Sequence, residues 1–111
     1  MNDSDPYEVL DDVIVPWARR HGIRVGTIYQ DCPVRSVWFF DKAGERRAQL
    51  WLDVPDHDLR VTVHVAALDA ASITKWTAHH QRKVGRGKLG AVLDEFRQLA
   101  VDWIGLDGFT G

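Results

Sequence analysis

One cysteine, one methionine and two tyrosines in 111 residues leave few side chains for redox or nucleophilic chemistry. Cys32 has no second thiol to pair with, so no internal disulfide braces the chain, and that pattern points to a reducing, cytoplasmic setting. Long apolar runs are missing as well. The longest, Val13 to Ala18, contains Pro16 and falls far short of the roughly 18 residues that a membrane span requires. The opening residues are acidic (Asp3, Asp5, Glu8, Asp11, Asp12) where an export leader would be basic, so no cleaved leader is expected. Neither a His-x-x-x-His nor a Cys-x-x-Cys spacing occurs. Asp56-His57-Asp58 offers oxygen and imidazole donors in one turn without a further ligand at fixed spacing, so neither a metal nor another cofactor is expected. Cys32 stands beside the carboxylate of Asp31, which disfavours a thiolate.

What is present is ordinary in bulk and uneven in placement. With 45% hydrophobic and 27% charged residues the chain has the composition of one globular domain, and no linker, repeat or low-complexity stretch divides it. The net charge of −2 conceals strong segregation. The first 12 residues carry five acids and no base, whereas residues 70 to 93 carry Lys75, Arg82, Lys83, Arg86 and Lys88 and no acid.

Asp5-Pro6-Tyr7-Glu8 reads as a helix start: a carboxylate cap, proline where its missing N–H costs nothing, and Glu8 placed to reach back. Tyr7, Leu10, Val13, Ile14, Trp17 and Ala18 follow at helical spacing, Pro16 predicts a kink or a restart, and Gly22 supplies the left-handed stop. Four β-rich runs come next, Ile23 to Tyr29, Val34 to Phe40, Arg47 to Val54 and Leu59 to Ala66, with turn chemistry at residues 41–45 and 55–58. Alternation places Leu50, Leu52 and Val54 with Val61, Val63 and Val65 on a core face. In the second run aromatics occur in both phases, so the outward set stays open between Trp38 and Phe39. After Ala66 the spacing of Ile73, Trp76 and His80 predicts a helix from Ala70 to about Lys83, capped by Asp69. A final helix is predicted from about Lys88 to Ile104, on the stripe Leu89, Val92, Leu93, Phe96, Leu99, Ala100 and Trp103, with Gly105 as its stop. The expected architecture is α+β: an antiparallel meander of three to four strands with helices on one face, in the order α-β-β-β(-β)-α-α.

Two surfaces stand out as candidate sites. Helices on one side only leave the other sheet face for a partner, and Arg47, Trp51, Arg60 and His64 are assigned to that face by alternation. On the predicted middle helix, Lys75, His79 and Arg82 form a basic stripe, flanked by Lys83 and followed by Arg86, Gly87 and Lys88 at the next helix start. Such a cluster would suit phosphate, a nucleic-acid backbone, or a partner's carboxylates.

Arg82-Lys83-Val84-Gly85-Arg86-Gly87 resembles the acetyl-CoA pyrophosphate loop of the large N-acetyltransferase family, six residues of the pattern Arg/Gln-x-x-Gly-x-Gly/Ala. The resemblance implies acyl transfer with the pyrophosphate held on backbone N–H groups. In that family the loop follows a strand directly. The order helix, sheet, helix is also similar to the layout of double-stranded-RNA-binding domains, whose lysine-rich motif is not matched here. From the residues themselves, the thin catalytic inventory and the half-covered sheet lead to the expectation of a non-enzymatic interaction domain. Its partner would be another protein or a second copy, engaged through the open face or the basic segment, with nucleic acid as the alternative ligand of the latter.

Overall fold

In the computed structural model, which describes residues 5–69 and 72–106 (at 72–74 and 106 the backbone alone), the N-terminal signal acts in two stages. The Asp5 carboxylate accepts from the Tyr7 N–H at 2.8 Å and its carbonyl from the Glu8 N–H at 3.1 Å. These bonds start a single 3-10 turn, Glu8–Leu10, before α1 (Asp11–Arg20) begins. The helix continues through Pro16, which lacks the N–H that would bond to Asp12. It ends as expected: Gly22 adopts φ +64°, and the Ile23 N–H returns to the Ala18 carbonyl at 2.8 Å.

The sheet is an antiparallel meander of five strands in sequence order, β1 (Gly26–Tyr29), β2 (Cys32–Phe40), β3 (Arg46–Leu52), β4 (Arg60–Asp69) and β5 (Ser72–Gly85). The fold is α+β with a helix at each end, α2 running Arg86–Leu106. The predicted hairpin at residues 41–45 forms on Gly44, whose φ is +82°, with the Asp41 carboxylate accepting the Ala43 and Glu45 N–H groups. The turn at 55–58 is held by Asp56, whose carboxylate accepts from Arg60 N–H, pairs with Lys83 at 3.0 Å and accepts from Asp58 N–H. Together these hold its pKa down at about 2.

Gln30 and Asp31, the two residues between Tyr29 and Cys32, both have positive φ (50° and 64°), the geometry of a type I′ turn. Glutamine disfavours that region and aspartate enters it less readily than glycine, so the double variant Gln30→Asn, Asp31→Gly is expected to stabilise the protein by about 1 kcal/mol in urea unfolding.

One predicted element is corrected. The segment expected as a helix from Ala70 to Lys83 is β5, with residues 70 and 71 outside the described residues. Ile73, Thr74, Thr77 and Val84 are β-branched, and an acid-free basic helix would have gained nothing from side-chain pairing. Pairing with the ten-residue β4 decides the matter, from Arg60↔Gly85 to Asp69↔Ser72. The last helix consequently starts two residues earlier than expected, directly after the strand, and runs past Gly105.

The core lies between the sheet and the two helices. Tyr7, Leu10, Ile14 and Trp17 from the N-terminal layer meet Val37, Leu50, Leu52, Val61, Val63 and Val65 from the sheet and Leu89, Val92, Leu93 and Phe96 from α2. The alternation predicted for β3 and β4 holds for this set except Val54, which lies beyond β3 and is exposed. Among the described residues no helix is long and apolar enough to cross a membrane.

Candidate functional site

Strand register assigns the faces. Ser36 pairs with Trp51 and Trp38 with Gln49, Trp51 with His64, and His64 with Gln81, so these residues stand together on the face away from the helices. Trp38 therefore joins Trp51 on the open face, while Arg35, Val37 and Phe39 share the core phase. No described element lies across this face, and its residues are half-buried or exposed.

Trp51 lies at its centre. Its ring stacks on His64 (centroids 4.7 Å apart, planes at 3°) and lies parallel to His79 at 5.8 Å. Trp76 leans against Trp51 at 5.3 Å and against His79 at 4.8 Å, and 48% of its surface is exposed. The two histidines are joined to each other and to Asp53. His64 Nε2 is 2.9 Å from Asp53 Oδ2, and His64 Nδ1 is 3.0 Å from His79 Nε2. A carboxylate can only accept, so His64 Nε2 carries the hydrogen; with His64 neutral, its Nδ1 accepts from the His79 Nε2–H. Burial lowers the His79 pKa below its ordinary 6.5, and the neighbouring His64 and His80 lower it further.

This shift has a sign. The folded protein takes up the His79 proton less readily than the unfolded chain, so the contribution of neutral His79 is present above 6.5 and is lost as pH falls through that value and the lower folded one. Urea midpoints measured between about pH 7 and pH 5 are expected to fall, and His79→Gln is expected to flatten that slope.

Around the aromatic cluster the sheet curls into a trough of about 770 Å³. Trp38 and Trp51 floor it, Ile28 and Tyr29 of β1 stand at one edge and Trp76 of β5 at the other, and the Arg46 guanidinium lies over the Trp38 ring at 4.3 Å. Arg46 has no carboxylate partner among the described residues.

The residues assigned to this face from sequence are only partly together. Trp51 and His64 are in contact, and Arg60 lies at the far end of β4. Arg47 is tied to the β2–β3 hairpin by Asp41 at 3.3 Å, and the cation over the aromatic floor is its neighbour Arg46. A bulge between Phe39 and Phe40 breaks the alternation on which the assignment of Arg47 rested. Trp76, expected on a core-facing helix stripe, belongs to the open face, as does His79. The signal available for both was the β-branched Thr77 between them, which fits a strand better than a helix.

The basic stripe does not exist as one surface, because neighbouring residues of a strand point to opposite faces. Arg82 turns to the helix side, where it makes a two-point pair with Glu95 (both contacts 2.7 Å) and lies 5.6 Å from the Phe96 ring. That pair raises the Arg82 pKa and lowers that of Glu95. Lys83 turns the other way, to Asp56. Arg86, at the start of α2, bonds to Asp12 and to the Val9 carbonyl. Three of the five cations are thus held by carboxylates of this chain; Lys75 and Lys88 are exposed.

The loop resembling an acetyl-CoA site does follow a strand and open a helix. A Cβ on Gly85 or Gly87 would meet no atom within 4 Å, and no strand follows α2 among the described residues. Cys32 is exposed at the β1–β2 turn. Among the described residues no three His, Cys, Asp or Glu side chains gather as a metal site. Comparison of the chain with protein-family models, with curated proteins and with solved structures finds no match.

Proposed function

We propose that this chain is a non-enzymatic binding module that docks another protein on the uncovered face of its sheet. The observation that carries the reading is the cluster of Trp51, Trp76, His64 and His79, with Trp51 at the centre of a face that no described element crosses and Trp76, 48% exposed, at its β5 edge. Large aromatic rings held rigid by stacking lose little conformational freedom on binding, which makes them good anchors. The Asp53–His64–His79 chain of hydrogen bonds keeps the cluster in one arrangement before a partner arrives.

Trp51→Ala is expected to weaken binding of a copurifying partner by at least about 30-fold, the roughly 2 kcal/mol of a central anchor. The measurement is a titration by surface resonance, with circular dichroism confirming that the variant is folded. Unchanged affinity in Trp51→Ala and in Trp76→Ala contradicts the proposal.

A further inference from the structure

The face of a sheet offers a partner side chains and almost no free backbone groups, since the N–H and C=O groups of the inner strands are engaged along the sheet. An extended segment lying on such a face would leave its own backbone unpaired against an apolar floor. A helix satisfies its backbone internally and brings only side chains, which is how α2 covers the opposite face of this sheet. The dimensions agree. Five strands span four inter-strand spacings, roughly 19 Å, and a helix with its side chains is about 10 Å wide. Ile28 and Tyr29 at one edge and Trp76 at the other line the same trough, so they stand as its two walls.

Charge selects the kind of helix. Among the described residues the trough lining contains Arg46 and Arg35 and no acid. Arg35 is already held by Asp5 and Asp11, whereas Arg46 rests on Trp38 and pairs with no carboxylate among the described residues. A second copy docked trough to trough would set Arg46 against Arg46, cation against cation.

From these observations we infer that the trough receives an amphipathic helix of a partner protein, its apolar stripe on Trp38, Trp51 and Trp76 and an acidic residue at its flank pairing with Arg46. The inference rests on the docking reading and gives the partner its chemistry. The test uses two synthetic helical peptides of about 14 residues, roughly four turns, with the same leucine and phenylalanine stripe and either glutamate or lysine on the flanks.

The intact protein is expected to bind the glutamate peptide at least about tenfold more tightly than the lysine peptide by isothermal titration. The indole signals of Trp38, Trp51 and Trp76 are expected to shift, and Arg46→Glu, an exposed substitution, to reverse the order of the two peptides. Equal affinities, absence of binding by both peptides, an order unchanged in Arg46→Glu, or shifts confined to other tryptophans would each overturn the inference. So would a concentration-dependent dimer that buries the trough, or a single-stranded oligonucleotide that displaces the peptide. If Trp51→Ala abolishes capture of a copurifying partner while Arg46→Glu and the peptide charge have no effect, the docking face stands and the acidic helix falls. If neither substitution affects that capture, the docking reading itself falls.

Discussion

Replacing both Asp5 and Asp11 with asparagine is expected to cost about 3–5 kcal/mol of stability, the usual consequence of stripping partners from a buried charge. Arg35 is only 4% exposed. Its Nε and Nη2 reach both oxygens of Asp11 at 2.9 Å, Nη2 also reaches Asp5 at 2.8 Å, and Nη1 donates to the Val34 carbonyl at 2.7 Å. The guanidinium lies 5.1 Å from the centre of the Tyr7 ring, so one cation joins the N-terminal layer to β2. Hydrogen bonding to Asp11 raises the Arg35 pKa against the opposing effect of burial. For Asp5 burial acts upward, and the Tyr7 N–H together with Arg35 outweighs it to lower the pKa. Asparagine at position 5 keeps an oxygen for the Tyr7 N–H, and at both positions it loses the charge and sets an NH2 donor where a carboxylate oxygen accepted from the guanidinium.

The complementary change, Arg35→Met, is expected to cost less, about 1–3 kcal/mol. The two carboxylates it abandons are 25% and 33% exposed and regain water, which a buried guanidinium cannot. Urea unfolding of the three proteins checks the order, and a larger loss in Arg35→Met than in the aspartate pair would contradict it.

Trp17→Ala is expected to cost about 3–5 kcal/mol, equivalent to a fall in Tm of at least about 12 °C. Trp17 is 1% exposed, the largest fully buried side chain, and closes the contact between α1 and α2. Its indole N–H also donates to Asp94 Oδ1 at 3.0 Å, an oxygen that His21 Nε2 approaches at 3.3 Å. Trp17→Phe keeps most of the buried ring and forfeits the hydrogen bond, so its loss is expected to be about 1–2 kcal/mol. Calorimetric scans of the two variants separate packing from hydrogen bonding.

Much of the fold was written in local patterns. The stop at Gly22, the hairpin on Gly44 and the stripe from Leu89 to Trp103 each rest on a few neighbouring residues and appear where the spacing placed them, whereas the helix expected to start near Pro6 opens with a 3-10 turn at Glu8 and becomes an α-helix only at Asp11. The segment now seen as β5 was not legible in the same way. Ile73, Trp76 and His80 satisfy a helical period, and only pairing with β4, a non-local event, distinguishes a strand there. That one element moved His79 and Trp76 onto the open face and split the basic residues between two faces. Arg35 was readable in part: it shares the phase of Val37 and Phe39, and a charge in a core phase needs partners, which the acidic N-terminus supplies. The exchange of Arg47 for Arg46 could not be read, because the bulge after Phe39 leaves no mark in the alternation.

The charge segregation seen in the sequence resolves largely into internal pairing. Asp12 holds Arg86, joining the acidic segment to the basic one, while Asp56 holds Lys83 and Glu95 holds Arg82. On the proposed docking reading, the surface offered to a partner is the aromatic trough with the Arg46 cation over Trp38.

The five tryptophans report on that claim within one spectrum, since each indole N–H gives a separate signal. Trp17 marks the core, Trp103 the helix side, and Trp38, Trp51 and Trp76 the open face. Adding a copurified partner to the indole-labelled protein is predicted to shift or broaden the signals of Trp51 and Trp76 and to leave those of Trp17 and Trp103 in place. Movement of the Trp103 signal with Trp51 and Trp76 unmoved would put the partner on the opposite side of the molecule and contradict the account.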